Sequence, residues 1–427
     1  MASSVVISDP SIAAPAPTAV KIDTTPVPPS WMPPWLDEKD VPLPSGSNSA
    51  VIMLDDQPLY SAPRGDSPRR GSAIGGARLP IFSARRGPGC AGRWINVGAM
   101  AWVCQEKIRF SSELPIAAGD TPRDEPDGLP FRYYFVGSNG SAAYTRLEFA
   151  ELAAPDMELQ PGFAVAIVEQ RARGEDLYGR THKGRWIPMR DLGPVRTQFF
   201  HGEEVVGGKL DFAWVLDDRT PVFSKPGGSS KATDLPFKMR FSVVQILEEK
   251  GSKGREMYRI DATHWVRAKD VRRPTKAAPP TEASGERWID VELASQTLTA
   301  YEGDVPVFST LVSTGKGAQG SATATPKGTF RIWVKLRTST MDNLDDENAQ
   351  STYAIEDVPH VQFFSKGVGL HAAFWHSGFG RVKSHGCVNL APIDAQRLFK
   401  FTGPRVPAGW WASLPTEHDR GTVVRVR

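Results

Sequence analysis

The densest run of reactive side-chain types in this 427-residue chain is VGLHAAFWHSGFGRVKSHGCVNL, residues 368–390. It holds His371, His376, His385 and Cys387, three of the eight histidines and one of the three cysteines. A cysteine nucleophile reacts as its thiolate, which an adjacent imidazole and backbone N–H dipoles stabilise, and it needs a base within hydrogen-bond reach. It also needs donors aimed at the oxyanion of a tetrahedral intermediate. Ser384-His385-Gly386-Cys387 can supply them, because Gly386 lets the main chain turn tightly and the N–H groups near Cys387 converge. His371 stands far enough upstream to return on a facing strand. The expectation is a thiol ionised and poised by this imidazole beside main-chain amides. Zinc held by His371, His376, His385 and Cys387 is the competing chemistry, since N and S ligands suit that ion. The run lacks CxxC and HExxH spacing, and a metal would quench the nucleophile, so neither a metal nor an organic cofactor is expected.

The elements that must position these residues read as β structure. From residue 286 to 427, RWIDVELASQTLTAYEGDVPVFSTLVSTG gives alternating strands broken by SQ and GD turns, and TPKGTFRIWVKL adds a strand over Phe330–Leu336. A short helix is predicted in APIDAQRLFKF, with Pro392 near its first turn and Ala395, Leu398 and Phe399 at helical spacing. Residues 275–285, rich in Pro, Ala and Ser, read as a linker. Upstream, one pattern recurs three times: a strand and polar turn, a second strand region, then an aromatic strand. The copies occupy 49–109, 130–200 and 210–274, the middle one with a long insert around ELAAPDMELQPG. Such spacing argues small all-β barrels. Cys90 and Cys104 flank GRWINVGAMAWV, and a local disulfide between them and two buried thiols are both open readings. Trp94, Trp102, Trp186 and Trp265 either pack cores or line a groove for peptide or glycan.

S-H-G-C-V-N preceded by a histidine at this distance resembles the signature of the L,D-transpeptidases, the YkuD domain. TPKGTFRI resembles that family's second recurrent segment, and NLAPIDAQRLF the helix after its cysteine. The likeness spans 286–427. The strand–loop–strand–turn order of the upstream copies resembles bacterial SH3-type (SH3b) domains. Together these imply a mainly β chain: several SH3-like barrels, then a β-rich catalytic domain with a short helix after the cysteine. The resemblance makes Cys387 the nucleophile and His371 the base, with the carbonyl of Ala372 orienting the imidazole. His385, Gly386 and Cys387 form the anion-stabilising turn, braced by Ser384 and Asn389, while Trp375 and His376 line the substrate or serve structure. Two departures stand out: Ala372 follows the first histidine where glycine is common, and VQFFSKGVG offers Phe363 and Phe364 where relatives carry tyrosine. Tyr353 is the candidate replacement.

The implied reaction is acyl transfer on peptidoglycan stem peptides. The Cys387 thiolate attacks the diaminopimelate carbonyl of a tetrapeptide, D-alanine leaves, and an amine resolves the thioester into a 3→3 cross-link. Water would make the same site an L,D-carboxypeptidase, and a protein amine would make it an enzyme anchoring an envelope protein to the wall. Carbapenems are expected to acylate Cys387. A catalytically silent wall-binding scaffold is the reading of another class. A papain-like endopeptidase fits less well, because the histidine precedes the cysteine and no helix is predicted for Cys387 to cap. Asp342, Asp345, Asp346 and Glu347 form an acidic patch that is either a solvated loop or a guide for a cationic acceptor.

Composition bounds these readings. A 40% hydrophobic share with 12 Trp and 20 Phe suffices for real cores. No run approaches the ~18 apolar residues of a membrane span. The 51 basic and 48 acidic residues are well mixed, which excludes a dedicated nucleic-acid binder. Residues 1–48, dominated by Pro, Ala, Ser and Thr, read as a disordered spacer. Their start lacks the basic and apolar regions of a secretory signal. The substrate class and the spacer together point to the cell envelope, in the periplasm, with a signal or anchor removed upstream.

Overall fold

The computed structural model describes residues 41–115, 126–152, 154–196, 199–227, 238–344 and 352–427. Most of the spacer, residues 1–40, lies outside them, as do Asp345, Asp346 and Glu347 of the acidic patch.

The C-terminal third is built on alternation. Along Arg287–Glu292 and Thr297–Glu302, Ile289, Val291, Leu298 and Ala300 point to one face, as the two-residue period of a strand requires. These strands belong to a six-stranded sheet in the order Glu203–Glu204, Val305–Leu311, Thr297–Glu302, Arg287–Glu292, Val423–Val426 and Gly328–Arg331. Arg287–Glu292 and Val423–Val426 run parallel; the other neighbours are antiparallel. Facing this sheet is a second one. Val334–Asp342 pairs antiparallel with Ala354–Ser365, which turns back into Val368–Ala372, and Val388–Leu390 closes the set as a parallel neighbour of Val368–Ala372. Leu370, Ala372, Val388 and Leu390 enter the shared core. The predicted helix forms at Pro392–Phe401 and inserts Ala395 and Leu398 into the same core. Its C-terminal carbonyls meet the buried Lys335, whose Nζ donates to Thr402 O at 2.8 Å and to Phe399 O.

The three upstream copies fold as β units with their own apolar clusters. Ile52, Leu59, Ile95 and Val103 centre the first; Val136, Val165 and Ile187 the second; Val215, Val244 and Val266 the third. Cys90 and Cys104 are disulfide-bonded, so the paired reading holds. Trp94, Trp102, Trp186 and Trp265 are all buried. Their burial favours the core-packing reading.

Two expectations need correction. Residues 41–48 are not spacer: Val41 and Leu43 pack on the first cluster, and the Val41 N–H donates to Ala84 O at 2.7 Å. Residues 275–285 are not a free linker either. Ala283 is buried against Trp288 and Tyr301, the Ala277 N–H donates to Tyr301 Oη at 3.0 Å, and Arg425 donates to Ala278 O at 2.8 Å. Trp288 and Tyr301 stack 4.2 Å apart on the outer face of the six-stranded sheet, and a Pro/Ala-rich strap is what covers such a face without unpaired polar groups.

All three β units pack on the C-terminal third. Trp410–Ser413 pairs with Val334–Asp342 on one side and Arg69–Ala73 of the first unit on the other. Tyr133 of the second unit donates its hydroxyl to Asp357 O at 2.6 Å. Trp214 of the third shares a cluster with Leu311, Ala373 and Phe379.

Candidate active site

Leu370, Ala372, Val388 and Leu390 face the core, so alternation turns His371, Cys387 and Asn389 to the opposite face of adjoining parallel strands. His371 and Asn389 are register partners, and Cys387 stands two residues before Asn389, where the Ser384–Gly386 turn runs into the strand. The facing-strand expectation for His371 is realised as a direct neighbour.

His371 is buried, and its Nδ1 donates to the Ala372 carbonyl at 2.9 Å, as the resemblance implied. The proton on Nδ1 leaves Nε2 as the acceptor. The ring stacks on Trp375 with centroids 5.7 Å apart. Burial pulls the imidazole down to about 4, against a small opposing pull from the Ala372 carbonyl. The Cys387 thiol is pushed up by burial, and the N–H of Gly369 opposes this. Its sulfur lies 3.7 Å from the Gly367 carbonyl, and no hydrogen bond joins it to His371. Burial without a joining hydrogen bond disfavours the charged form of each, which runs against the expected ionised thiol.

The turn ahead of Cys387 is held from several sides. Ser384 Oγ accepts from the Gly386 N–H at 3.1 Å and donates to the Cys387 carbonyl. The N–H of Gly386 is therefore committed, and the expectation that it faces an anion is also corrected. Gly386 has φ +132°, where a side chain would be strained. Its carbonyl accepts from Thr325 Oγ1 at 2.7 Å, and that same oxygen accepts from the Gly315 N–H at 2.9 Å. Gly315 is needed for close approach, since a Cβ there would lie 2.3 Å from the Thr323 carbonyl. Thr325 and Gly315 are supports that sequence reading missed. The only signal was the position of Thr325 just before Pro326 in TPKG.

Asn389 braces the site by two routes. Its main chain exchanges bonds with Ser313 at 2.9 and 3.0 Å, and its side-chain amide meets His376 Nε2 at 3.0 Å. His376 Nδ1 accepts from the Gly378 N–H at 3.0 Å, so His376 ties the Trp375–Gly378 loop to the strand after Cys387. Burial lowers its pKa to about 4, helped by Lys383, His371, Arg240 and Lys316. Tyr353 stacks on the exposed His385, rings 5.8 Å apart and nearly parallel. Its phenol is raised by burial first, and then by the charges of Cys387 and Asp342. Phe364 is core and Phe363 stacks on Trp333. Among the described residues, no group of three or more His, Cys, Asp or Glu is placed to hold a metal ion.

Residues 286–426 match the model of the L,D-transpeptidase catalytic domain, YkuD. No curated protein matches the chain. Solved structures that are similar include an Enterococcus faecium L,D-transpeptidase, 24% identical over 33% of this chain and 49% of that one, TM-score 0.26. LdtMt1 in complex with imipenem is 18% identical over 42% of this chain and 77% of that one, TM-score 0.27. The L,D-transpeptidase from Mycobacterium smegmatis is 15% identical over 62% and 99%, TM-score 0.26. The match spans about half the length of the first of these. The assignment rests on the family match together with the S-H-G-C-V-N turn. Residues 286–426 are an L,D-transpeptidase catalytic domain of the YkuD type.

Proposed function

We propose that this protein is a cysteine acyltransferase acting on peptidoglycan stem peptides in the cell envelope, in the periplasm. The observation that carries the mechanism is the His371 ring, locked by the Ala372 carbonyl with Nε2 as acceptor, on the strand beside the one that Cys387 opens. The Cys387 sulfur attacks the diaminopimelate carbonyl of a tetrapeptide as Nε2 takes the thiol proton. With Gly386 committed to Ser384, the N–H groups of His385 and Cys387 are the turn's donors to the oxyanion. The tetrahedral intermediate collapses, the C–N bond breaks, and D-alanine leaves with the proton held by His371. An acceptor amine then attacks the thioester, His371 takes a proton from it, and the Cys387 thiol is restored as the new amide forms. The side-chain amine of a second diaminopimelate gives a 3→3 cross-link. Tyr353, beside the sulfur, is the side chain suited to steady substrate or oxyanion. The same chemistry makes Cys387 the residue that carbapenems acylate. The three β units ahead of the domain are read as SH3-type modules, a reading supported by their short strands.

The test is incubation with tetrapeptide muropeptides beside a Cys387→Ala control, followed by mass spectrometry. Loss of D-alanine and appearance of dimers in the wild type alone is the expected result. Wild type and variant giving the same products rejects the proposal.

A further inference from the structure

Between the third β unit and the catalytic domain lies a cleft of about 620 Å³ lined by Arg196, Phe199, Arg240, Phe241 and Ser377. Its charge is mostly positive. Arg240 gives a guanidinium N–H to the Ser377 carbonyl and lies over the Phe241 ring, 4.3 Å from its centroid. Arg196 is exposed and bonds to no described residue. Of the carboxylates near it, Asp217 is paired with Arg381 at 2.6 Å, while Asp218 accepts the main-chain N–H of Arg240 at 3.1 Å and keeps its charge.

The positive edge continues toward the nucleophile. A Cβ on Gly378 would sit 2.7 Å from Lys383 Cε, so the Lys383 stem lies across the loop just past Ser377. The Lys383 N–H donates to Thr314 O at 3.0 Å and the Lys316 N–H to Ser384 O at 3.0 Å, which seats both lysines on the segments that hold the Cys387 turn. Neither amine is ion-paired among the described residues, and both are exposed. His376 feels Lys383, Arg240 and Lys316 together. Cations gathered around His376 that outnumber the one unpaired carboxylate near them repel one another, and a bound anion relieves that repulsion. Guanidinium groups favour carboxylates, which they bind through paired hydrogen bonds.

We infer that this cleft takes a free carboxylate of the peptide on which Cys387 acts, with Arg196 and Arg240 as its holders and Lys383 and Lys316 guiding the stem to the sulfur. The inference rests on the transpeptidase reading and adds to it a binding site built partly from the third β unit. It also gives that unit a role in substrate selection.

Calorimetric titration of the Cys387→Ala protein tests it, using a tetrapeptide muropeptide and the same peptide amidated at diaminopimelate or at the terminal D-alanine. Amidation at one of these positions is expected to weaken binding about tenfold, ~1.4 kcal/mol. Arg196→Gln and Arg240→Gln should bind the free acid at the level of the amide, and Arg240→Lys should recover part of the difference. Arg196 is exposed and bonds to no described residue, so its variant keeps the fold. With Cys387 present, the glutamine variants should raise KM and leave kcat nearly unchanged. Turnover by the wild type with equal affinity for free and amidated peptides overturns the inference and leaves the transpeptidase reading standing. So do glutamine variants that discriminate as the wild type does. Absence of both binding and turnover removes the two together.

Discussion

At the scale of single residues, Cys387 and His371 are both set against their charged forms. Burial holds the thiol of Cys387 above its ordinary range and the imidazole of His371 at about 4. The base is therefore unprotonated from about pH 5 upward, and proton transfer accompanies attack instead of preceding it. Alkylation of Cys387 by iodoacetamide is expected to climb with pH through and beyond the ordinary thiol range near ~8.5, with no plateau between pH 6 and 7. The acid limb of carbapenem acylation should lie below about pH 5, well under the ordinary imidazole value. An alkylation plateau near neutrality would reveal a thiolate–imidazolium pair and overturn this reading. Gly386 supplies a second check at this scale. Its φ of +132° admits a side chain only with strain of about 1–3 kcal/mol, although a Cβ would meet its nearest neighbour, the Ala324 carbonyl, at an ordinary 3.5 Å. Gly386→Ala should lower the melting temperature modestly and cut acylation severely, because the turn it deforms carries the donors. The reactive types and their chain spacing were legible in the sequence, and the bond from His371 to the Ala372 carbonyl forms as read. Protonation states were not, because they depend on how deeply each group is buried.

At the scale of elements, the helix Pro392–Phe401 does more than follow the cysteine. Asp394 in its first turn is buried and accepts the Gly202 N–H at 2.9 and 3.1 Å and the Thr310 hydroxyl at 2.5 Å. It thereby binds the segment entering the third β unit to the strand Val305–Leu311. Burial raises its carboxyl to about 6 despite these donors. The folded protein then holds a proton that the unfolded chain releases near pH 4, so this group's contribution to stability falls as pH rises from about 4 to 6. His371 and His376 act in the opposite sense over an overlapping range, so the difference between variant and wild type is the useful quantity. The melting temperature of Asp394→Asn minus that of the wild type should grow more positive from pH 4 to 6.5, reflecting up to about 3 kcal/mol. A difference that stays flat with pH would show that Asp394 is ionised throughout. The helix itself was legible from Pro392 and the Ala395/Leu398 spacing. The packed strap at 275–285 was not. Its composition is that of a linker, and only the stacked Trp288–Tyr301 face waiting for a cover makes it structural.

At the scale of the whole molecule, the units drawn apart along the chain share interiors. Trp410 belongs to the strand Trp410–Ser413 of the catalytic third, yet it is only 2% exposed and sits among Leu59, Leu79 and Ile95 of the first unit. Arg70 answers from the other side: it is buried, donates to Ser413 Oγ at 2.7 Å and to Leu414 O, and reaches Asp419 at 3.3 Å. Repeats with separate hydrophobic patterns read as beads on a string. Nothing in a local pattern reports that one bead's core tryptophan is encoded more than 300 residues further on. Removing a buried tryptophan of this kind costs about 3–5 kcal/mol. If the first unit held itself together, Trp410→Ala would lower one transition in a scanning calorimeter and leave the catalytic transition in place. The shared strand argues otherwise, since a cavity at Trp410 also loosens the edge of Val334–Asp342, which pairs with Ala354–Ser365 and through it with the strand bearing His371. The expected outcome is a lowered transition of the whole body together with slower acylation of Cys387, although the substitution lies in none of the residues that touch substrate. Unchanged acylation below a lowered first transition would show that the β units are independent after all.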